Sequence, residues 1–168
     1  MLFFYSFPSQ FLIAIVPFEP VLLYFGKFYQ PLTVALVAII GTLITEALNY
    51  SAFKFVTDSN LFQKIHQGKF LTKIVDLFNK APFVALIVAG LTPVPFYPFR
   101  FLVVLARYPL AKYLLAVFLS RSPRFFILAL AGYMIKIPDY LLIAIFIVLI
   151  LATNIPLLRR FLKGKQKK

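Results

Sequence analysis

Five ionisable residues stand inside long apolar runs of this 168-residue chain. Two are carboxylates, Glu19 and Glu46, and three are guanidinium groups, Arg100, Arg121 and Arg124. If those runs lie in a membrane, each buried charge costs at least ~2.5 kcal/mol and needs a partner or a ligand. Arginine stays protonated and can bind phosphate oxygens through two parallel hydrogen bonds. The three arginines therefore predict a site for a phosphate headgroup.

Two roles stay open for the carboxylates. Glu19 and Glu46 could neutralise two of the three arginines, with Glu46 and Arg124 as a structural pair, which would leave one net positive charge buried. Desolvated carboxylates could instead carry protons and couple transport to a proton gradient. An anionic ligand would neutralise the one positive charge that remains after the two carboxylates have paired with two arginines.

Polar side chains around these charges fall on one helical face. Thr42, Glu46, Asn49 and Tyr50 follow the spacing i, i+4, i+7 and i+8, so they share a side of one helix. We expect this side to face a cavity rather than lipid. The residues predicted to line the cavity are Thr42, Asn49, Tyr50, Thr92, Tyr97 and Ser120. Tyrosines near helix ends are interpreted as interfacial anchors instead.

Composition identifies the solvent as lipid. Hydrophobic residues make up 62% of the chain and the mean hydropathy is +0.91, far above soluble domains at roughly 45–50% apolar. Cysteine is absent, which excludes disulfides, thiolate zinc sites and cysteine nucleophiles. No metal-ligand cluster, phosphate loop or nucleophile with a neighbouring base is present, so we expect no metal, no cofactor, no catalytic residue and no enzyme activity.

Segment lengths predict an all-α integral membrane protein. Three apolar runs, 32–55, 110–135 and 140–158, reach the roughly 20 residues that a span requires. Two others, 3–28 and 82–106, are broken by prolines into arms too short to cross, so each is predicted to be a re-entrant hairpin. The predicted tips are Pro17, Pro20, Pro93, Pro95 and Pro98. Segment 58–80 has apolar residues among lysines and predicts an interfacial helix pair broken near Gly68.

An internal repeat at an offset of 78 residues relates the two halves. It places Pro17-Phe18-Glu19-Pro20 on Pro95-Phe96-Tyr97-Pro98, Pro31 on Pro109 and Glu46 on Arg124. Chance recurrence among 12 prolines is the alternative, but three matches and similar segment lengths favour a repeat. One crossing between the halves makes it inverted.

The predicted architecture is a single membrane domain over residues 1–168. It is an inverted repeat of two re-entrant helical hairpins, each followed by a transmembrane helix, with one more transmembrane helix at the C-terminal end. The first half is 1–57, the amphipathic linker 58–80, the second half 81–136, the final helix 137–158 and the basic tail 159–168.

The net charge of +13 fits membrane topology better than nucleic-acid binding. Thirteen lysines and arginines fall on the side of the C-terminal tail and two on the other. Positively charged loops mark the cytoplasmic side, so we expect a cytoplasmic C-terminus in a prokaryotic inner membrane. The expected partners are anionic lipid headgroups, and homo-oligomerisation is left open.

The stretch AGLTPVPFYPFRFLVVLARYPLAKYLLAVFLSRSPRFFILALAGYMI resembles the second half of the DedA/VTT membrane proteins, also called SNARE-associated. It is most similar to the branch with a TPIPYKVF-type tip followed by GRxxRFF. In the first half, the FEP tip and GTLITEALNY resemble the acidic tip and the GxxxGD/NxxxY helix of that family. The resemblance covers roughly residues 11–135.

This resemblance implies two opposed re-entrant hairpins and lipid scrambling or flipping, of undecaprenyl phosphate or phospholipid, in some members tied to a proton gradient. It carries the functional acidic and arginine positions of the family onto Glu19, Glu46, Arg121 and Arg124. Thr92, Tyr97 and Ser120 depart from the arginine, lysine and glycine that relatives have at these positions, which puts the headgroup specificity in doubt, and Arg100 could compensate.

Three functions therefore compete. The leading hypothesis is a translocase or scramblase of phosphate-bearing lipids. A small ion- or proton-coupled solute transporter would use the same cavity. In a non-transporting membrane scaffold, the charges would be structural only.

Overall fold

The structure is a computed structural model that describes residues 1–11, 17–57, 69–92, 96–135, 138 and 140–149. All regular secondary structure within these ranges is helical, which confirms the all-α class. The helices are α1 (Leu2–Gln10), α2 (Glu19–Gly26), α3 (Pro31–Thr57), α4 (Lys69–Lys80), α5 (Pro82–Leu91), α6 (Tyr97–Leu105), α7 (Leu110–Ile135) and α8 (Tyr140–Leu149).

Two of these helices are apolar and long enough to cross a membrane. Helices α3 and α7 have 27 and 26 residues, which at 1.5 Å per residue gives about 40 Å against a hydrocarbon core of about 30 Å. They confirm that the runs predicted over 32–55 and 110–135 are single apolar helices of spanning length. Of the third predicted span, 140–158, the described part is the apolar helix α8; its remainder lies outside the described residues.

Four short helices stand in the two proline-broken runs. Helices α1, α2, α5 and α6 have 8 to 10 residues each, so each is about 15 Å long and reaches about half way through a bilayer. Proline follows the first residue of both α2 and α6, as Pro20 and Pro98, where its missing N–H costs nothing. Pro93 and Pro95 lie outside the described residues.

The first break starts earlier than predicted. Helix α1 ends at Gln10, where we expected it to continue towards Pro17. The N–H of Phe11 donates to the carbonyl of Phe7 at 2.8 Å, and the backbone of Phe11 is then extended. The chain therefore leaves the helix at this point, well before the first proline of the tip.

The short helices pack on the long ones in a repeated pattern. In each half the first short helix packs on the long helix of its own half, α1 on α3 and α5 on α7. The second packs on the long helix of the other half, α2 on α7 and α6 on α3. Helices α2 and α6 also begin 78 residues apart, at Glu19 and Tyr97. Each long helix is thus packed against one short helix from its own half and one from the other half.

Two apolar clusters lie on either side of a polar layer. Val34 to Ile39 of α3 join Phe125 and Ala129 of α7 in one cluster. Tyr113 to Val117 of α7 join residues of α5 and α6 in the other. The start of α3 thus meets the end of α7, so the two long helices are antiparallel. Buried polar residues between the clusters include Thr42, Glu46, Asn49 and Ser120.

Helix α4 meets α5 at a sharp corner. Residues 74–80 of α4 and α5 are bent by 94° at Ala81, and Pro82 begins the new helix. Helix α4 falls within the linker predicted over 58–80, whose first part, 58–68 with the break near Gly68, lies outside the described residues. The apolar residues Val75 and Phe78 of α4 are buried, whereas Asp76, Asn79 and Lys80 are exposed.

Helices α2 and α7 touch through their backbones. Gly26 lies against the carbonyl of Ala129, and Gly132 lies against the carbonyl of Leu23. A Cβ atom at either glycine would overlap that carbonyl. Since the opposing atoms belong to the backbone, no side-chain rotation can relieve the overlap.

We predict that Gly132→Ala destabilises the protein. The new methyl group must push α2 away from α7, and overpacking of this kind typically costs about 1–3 kcal/mol. The free energy of unfolding is measured by titration with sodium dodecyl sulfate in mixed micelles. The matched control is Met134→Ala, because Met134 is exposed on the same helix; equal stability of the two variants would contradict the prediction.

Candidate functional site

The carboxylate of Glu46 is the centre of the polar layer. Glu46 is fully buried near the middle of α3. Arg100 of α6 donates to it from Nε at 2.9 Å and from Nη2 at 2.7 Å, and the Tyr113 hydroxyl donates at 2.8 Å. Arg121 of α7 approaches with Nη2 at 3.2 Å. One carboxylate thus ties α3 to α6 and α7, in a low-dielectric setting where such contacts are strong.

Arg121 also has a neutral partner. Its Nη1 donates to Oε1 of Gln10 at 2.7 Å, and its guanidinium lies 4.7 Å from the centre of the Phe96 ring. The aromatic face attracts the cation. Arg100, Arg121 and Glu46 together carry one net positive charge.

Gln10 connects the end of α1 to both long helices. Its Nε2 donates to Oγ1 of Thr42 at 3.0 Å, and its backbone carbonyl accepts from Nδ2 of Asn49 at 2.9 Å. With the contact to Arg121, this one residue joins α1 to α3 and to α7. The polar layer therefore includes the first short helix.

Arg124 forms a separate pair with Glu19. Its Nη2 lies 2.6 Å from Oε1 of Glu19, which is the first residue of α2. The side chains are 30% and 40% exposed, respectively, whereas Glu46 and Arg100 are enclosed. Of the pairings that the sequence left open, Glu46 with Arg124 is not the one formed, because Glu46 contacts Arg100 and Arg121 and Arg124 contacts Glu19.

Four of the residues predicted to line a cavity pack against other parts of the protein. Thr42 and Asn49 are buried against Gln10, and the Tyr50 hydroxyl donates to the carbonyl of Tyr108 at 3.0 Å. Within the described ranges, other helices cover this face of α3, and the polar groups named here have protein partners; whether the face lines a cavity stays a prediction. Ser120 is buried against Gly90 of α5.

An apolar groove lies elsewhere, along α4, α5 and α6. It encloses about 390 Å³ and is lined by residues that include Leu77, Val84, Val88, Thr92 and Phe99. Among the described residues that line it, Thr92 is the one that was predicted to line a cavity. The Thr92 hydroxyl donates to the carbonyl of Val88 at 2.8 Å. The side chain of Tyr97 lies outside the described part of the chain.

Sequence reasoning missed Gln10, Tyr113 and Phe96. Tyr113 stands in the first turn of α7, where a tyrosine was expected to be an interfacial anchor, yet it is 1% exposed and bonded to Glu46. Gln10 carried a usable signal, since it is an amide within an otherwise apolar arm. Phe96 carried none, because one phenylalanine among 21 is not distinguished by its type.

Comparison with known families identifies the chain. The profile of the VTT domain matches residues 16–134, which is most of the sequence and includes both long helices. The chain belongs to the VTT domain family. The resemblance to DedA/VTT proteins is therefore confirmed, and the assignment to one branch stays a prediction. No curated protein and no solved structure matches the chain.

The five charges predicted to lie within the membrane are all inside the segment that matches the VTT domain, whereas Gln10 precedes it. Membership is consistent with a membrane transporter or scramblase. The apolar spans and the family together indicate a membrane protein.

We predict that Glu46→Gln is far more destabilising than Glu19→Gln. Without the Glu46 carboxylate, two buried guanidinium groups lose their shared counter-charge, and breaking a buried ion pair costs roughly 3–5 kcal/mol. Glu19 is 40% exposed, so water or headgroups can replace it beside Arg124. Unfolding in dodecyl sulfate measures both variants, and equal losses would show that Glu46 is not the centre of the polar layer.

Proposed function

We propose that this VTT domain translocates or scrambles phosphate-bearing lipids, phospholipid or undecaprenyl phosphate, between the leaflets. The observation that carries the proposal is the excess positive charge at mid-length of the long helices. Three arginines face two carboxylates there. A phosphate headgroup supplies the missing negative charge and matches the geometry of guanidinium groups.

The partial exposure of Glu19 and Arg124 supports a cavity near the middle of the membrane. Arg124 lies near the middle of α7, and both side chains are partly exposed. Charges at mid-membrane depth are expensive in hydrocarbon and normally face the protein interior or a watery cavity. A lipid headgroup that enters such a cavity meets Arg124 first. Arg121 lies one turn away on the same face.

The proposed architecture is an inverted repeat of two re-entrant hairpins. Three features support it: the short helices are each about half a membrane thickness, α3 and α7 are antiparallel, and the packing pattern repeats between the halves. Hairpins that enter from opposite faces bring their tips together near the midplane. Irregular backbone is tolerated there because it is buried in protein or lines a cavity.

Glu19 is the carboxylate that we propose for proton exchange. Glu46 is fully buried and is enclosed by two arginines and the Tyr113 hydroxyl. Glu19 has one arginine partner and a partly exposed side chain. Proton coupling, where it occurs, would therefore act on the pair that also meets the headgroup.

The remaining proposals follow from the same site. The chain acts without chemical conversion, so it is not an enzyme, and its partners are membrane lipids rather than nucleic acid. The proposed location is a prokaryotic inner membrane with the C-terminus in the cytoplasm, as the distribution of basic residues favours.

The test is leaflet exchange of labelled phospholipid and of undecaprenyl phosphate in proteoliposomes. We predict that Arg124→Gln lowers the exchange rate roughly 10- to 100-fold, the effect of losing a charged hydrogen bond of about 1.5–3 kcal/mol. Lys112→Gln, an exposed position on the same helix, is the matched control and keeps the wild-type rate.

We also predict that Glu19→Gln still exchanges lipid between the leaflets but that its exchange rate no longer responds to an imposed pH gradient.

A double variant separates headgroup binding from a structural pair. Glu19→Gln with Arg124→Gln restores a neutral hydrogen-bonded pair between α2 and α7. If the pair is only structural, this variant regains what Arg124→Gln alone loses; if Arg124 binds phosphate, exchange stays low. If the well-folded wild type exchanges neither lipid, the proposal is wrong. Uptake of a soluble solute by the same vesicles would then favour the solute transporter.

A further inference from the structure

The amide of Gln10 occupies a position on Arg121 that suits an anion. We propose that Gln10 is a latch: its Oε1 atom holds the place of a phosphate oxygen on Arg121, and a lipid phosphate must displace it to bind there. This inference rests on the proposed function and names the group that competes with the substrate. Gln10 is a positioning residue, since it acts through Arg121.

The two arginines that share Glu46 differ in how firmly they are held. Arg100 makes two short hydrogen bonds to the carboxylate and is 4% exposed. Arg121 makes one longer contact, at 3.2 Å, and is 12% exposed. Of the two, Arg121 is therefore the one whose guanidinium is accessible to a new partner.

The contact between Arg121 and Gln10 is short but involves a neutral acceptor. Nη1 of Arg121 lies 2.7 Å from the amide oxygen, within the range of a charge-assisted bond. An ionised acceptor at the same place adds a Coulomb attraction to the guanidinium group that the neutral amide lacks. Phosphate oxygen is such an acceptor, so exchange of amide for phosphate is favourable once the headgroup has lost its water.

Displacement of the amide also acts on the first short helix. Gln10 is the last residue of α1 and is followed by extended backbone at Phe11, so this end of the helix is attached through polar contacts. Loss of the Arg121 contact removes the side-chain bond from α1 to α7 at Gln10. Arrival of a headgroup would thereby loosen the first hairpin from the second half of the protein.

Substitutions at Gln10 should move stability and phosphate affinity in opposite directions. Gln10→Met keeps a similar volume but loses the amide, which frees Arg121 and removes a hydrogen bond to it. Gln10→Glu places a carboxylate beside Arg121 and neutralises the excess charge of the layer. A residue with a merely structural role would instead change both quantities in the same direction.

The experiment measures binding of dihexanoyl phosphatidic acid to detergent-solubilised protein by calorimetry, with dihexanoylglycerol as the probe without phosphate. We predict that Gln10→Met binds roughly 5- to 10-fold more tightly and melts at a lower temperature without ligand. Gln10→Glu binds at least roughly tenfold more weakly and melts at a higher temperature. Lys112→Gln is the matched control and behaves as wild type in both measurements.

The outcomes separate the latch from the function on which it rests. If wild type binds phosphatidic acid but both Gln10 variants bind it equally well, the latch is wrong and the proposed function stands. Affinity and stability that fall together in Gln10→Met would also overturn the latch. If wild type binds the two probes alike, the proposed function fails and the latch fails with it. Should Gln10→Met not fold, Gln10→Leu takes its place, because it also removes the amide without adding a charge, whereas Gln10→Glu weakens phosphate binding through its charge alone.

Discussion

The rest of the structure depends on the burial of one carboxylate among several cations. Glu46 cannot be accommodated between apolar helices unless donors surround it, because an unpaired buried charge is far too costly. Arg100 and Tyr113 supply those donors from two other helices, and Arg121 completes the set. The helices that bring them are therefore fixed around Glu46, and the apolar clusters pack above and below this arrangement.

The two halves of the chain use the same contact with the charges reversed. In one place a second short helix, α6, brings an arginine to the carboxylate of α3. In another place α2 brings a carboxylate to the arginine of α7. The reversal lets each half neutralise the other while one cation is left over in the shared layer.

Length and hydropathy were sufficient to predict the long helices, since only a span of that size needs so many consecutive apolar residues. Proline positions predicted where α2 and α6 begin. Partners across the fold were not predictable in the same way. The proposed repeat aligns Glu46 with Arg124, but residues aligned by a repeat need not touch. Gln10 and Tyr113 acquire their roles from atoms on other helices, which no local pattern encodes.

The glycine contacts between α2 and α7 have a mechanical consequence. Two points of backbone contact, at Gly26 and Gly132, define a line, so α2 can neither slide along α7 nor turn on its own axis without a collision. The two helices then behave as one rigid lever. Glu19 and Arg124 lie on that lever at a constant separation, and because Arg121 and Tyr113 of α7 also contact Glu46, the lever is tied directly to the buried carboxylate of α3.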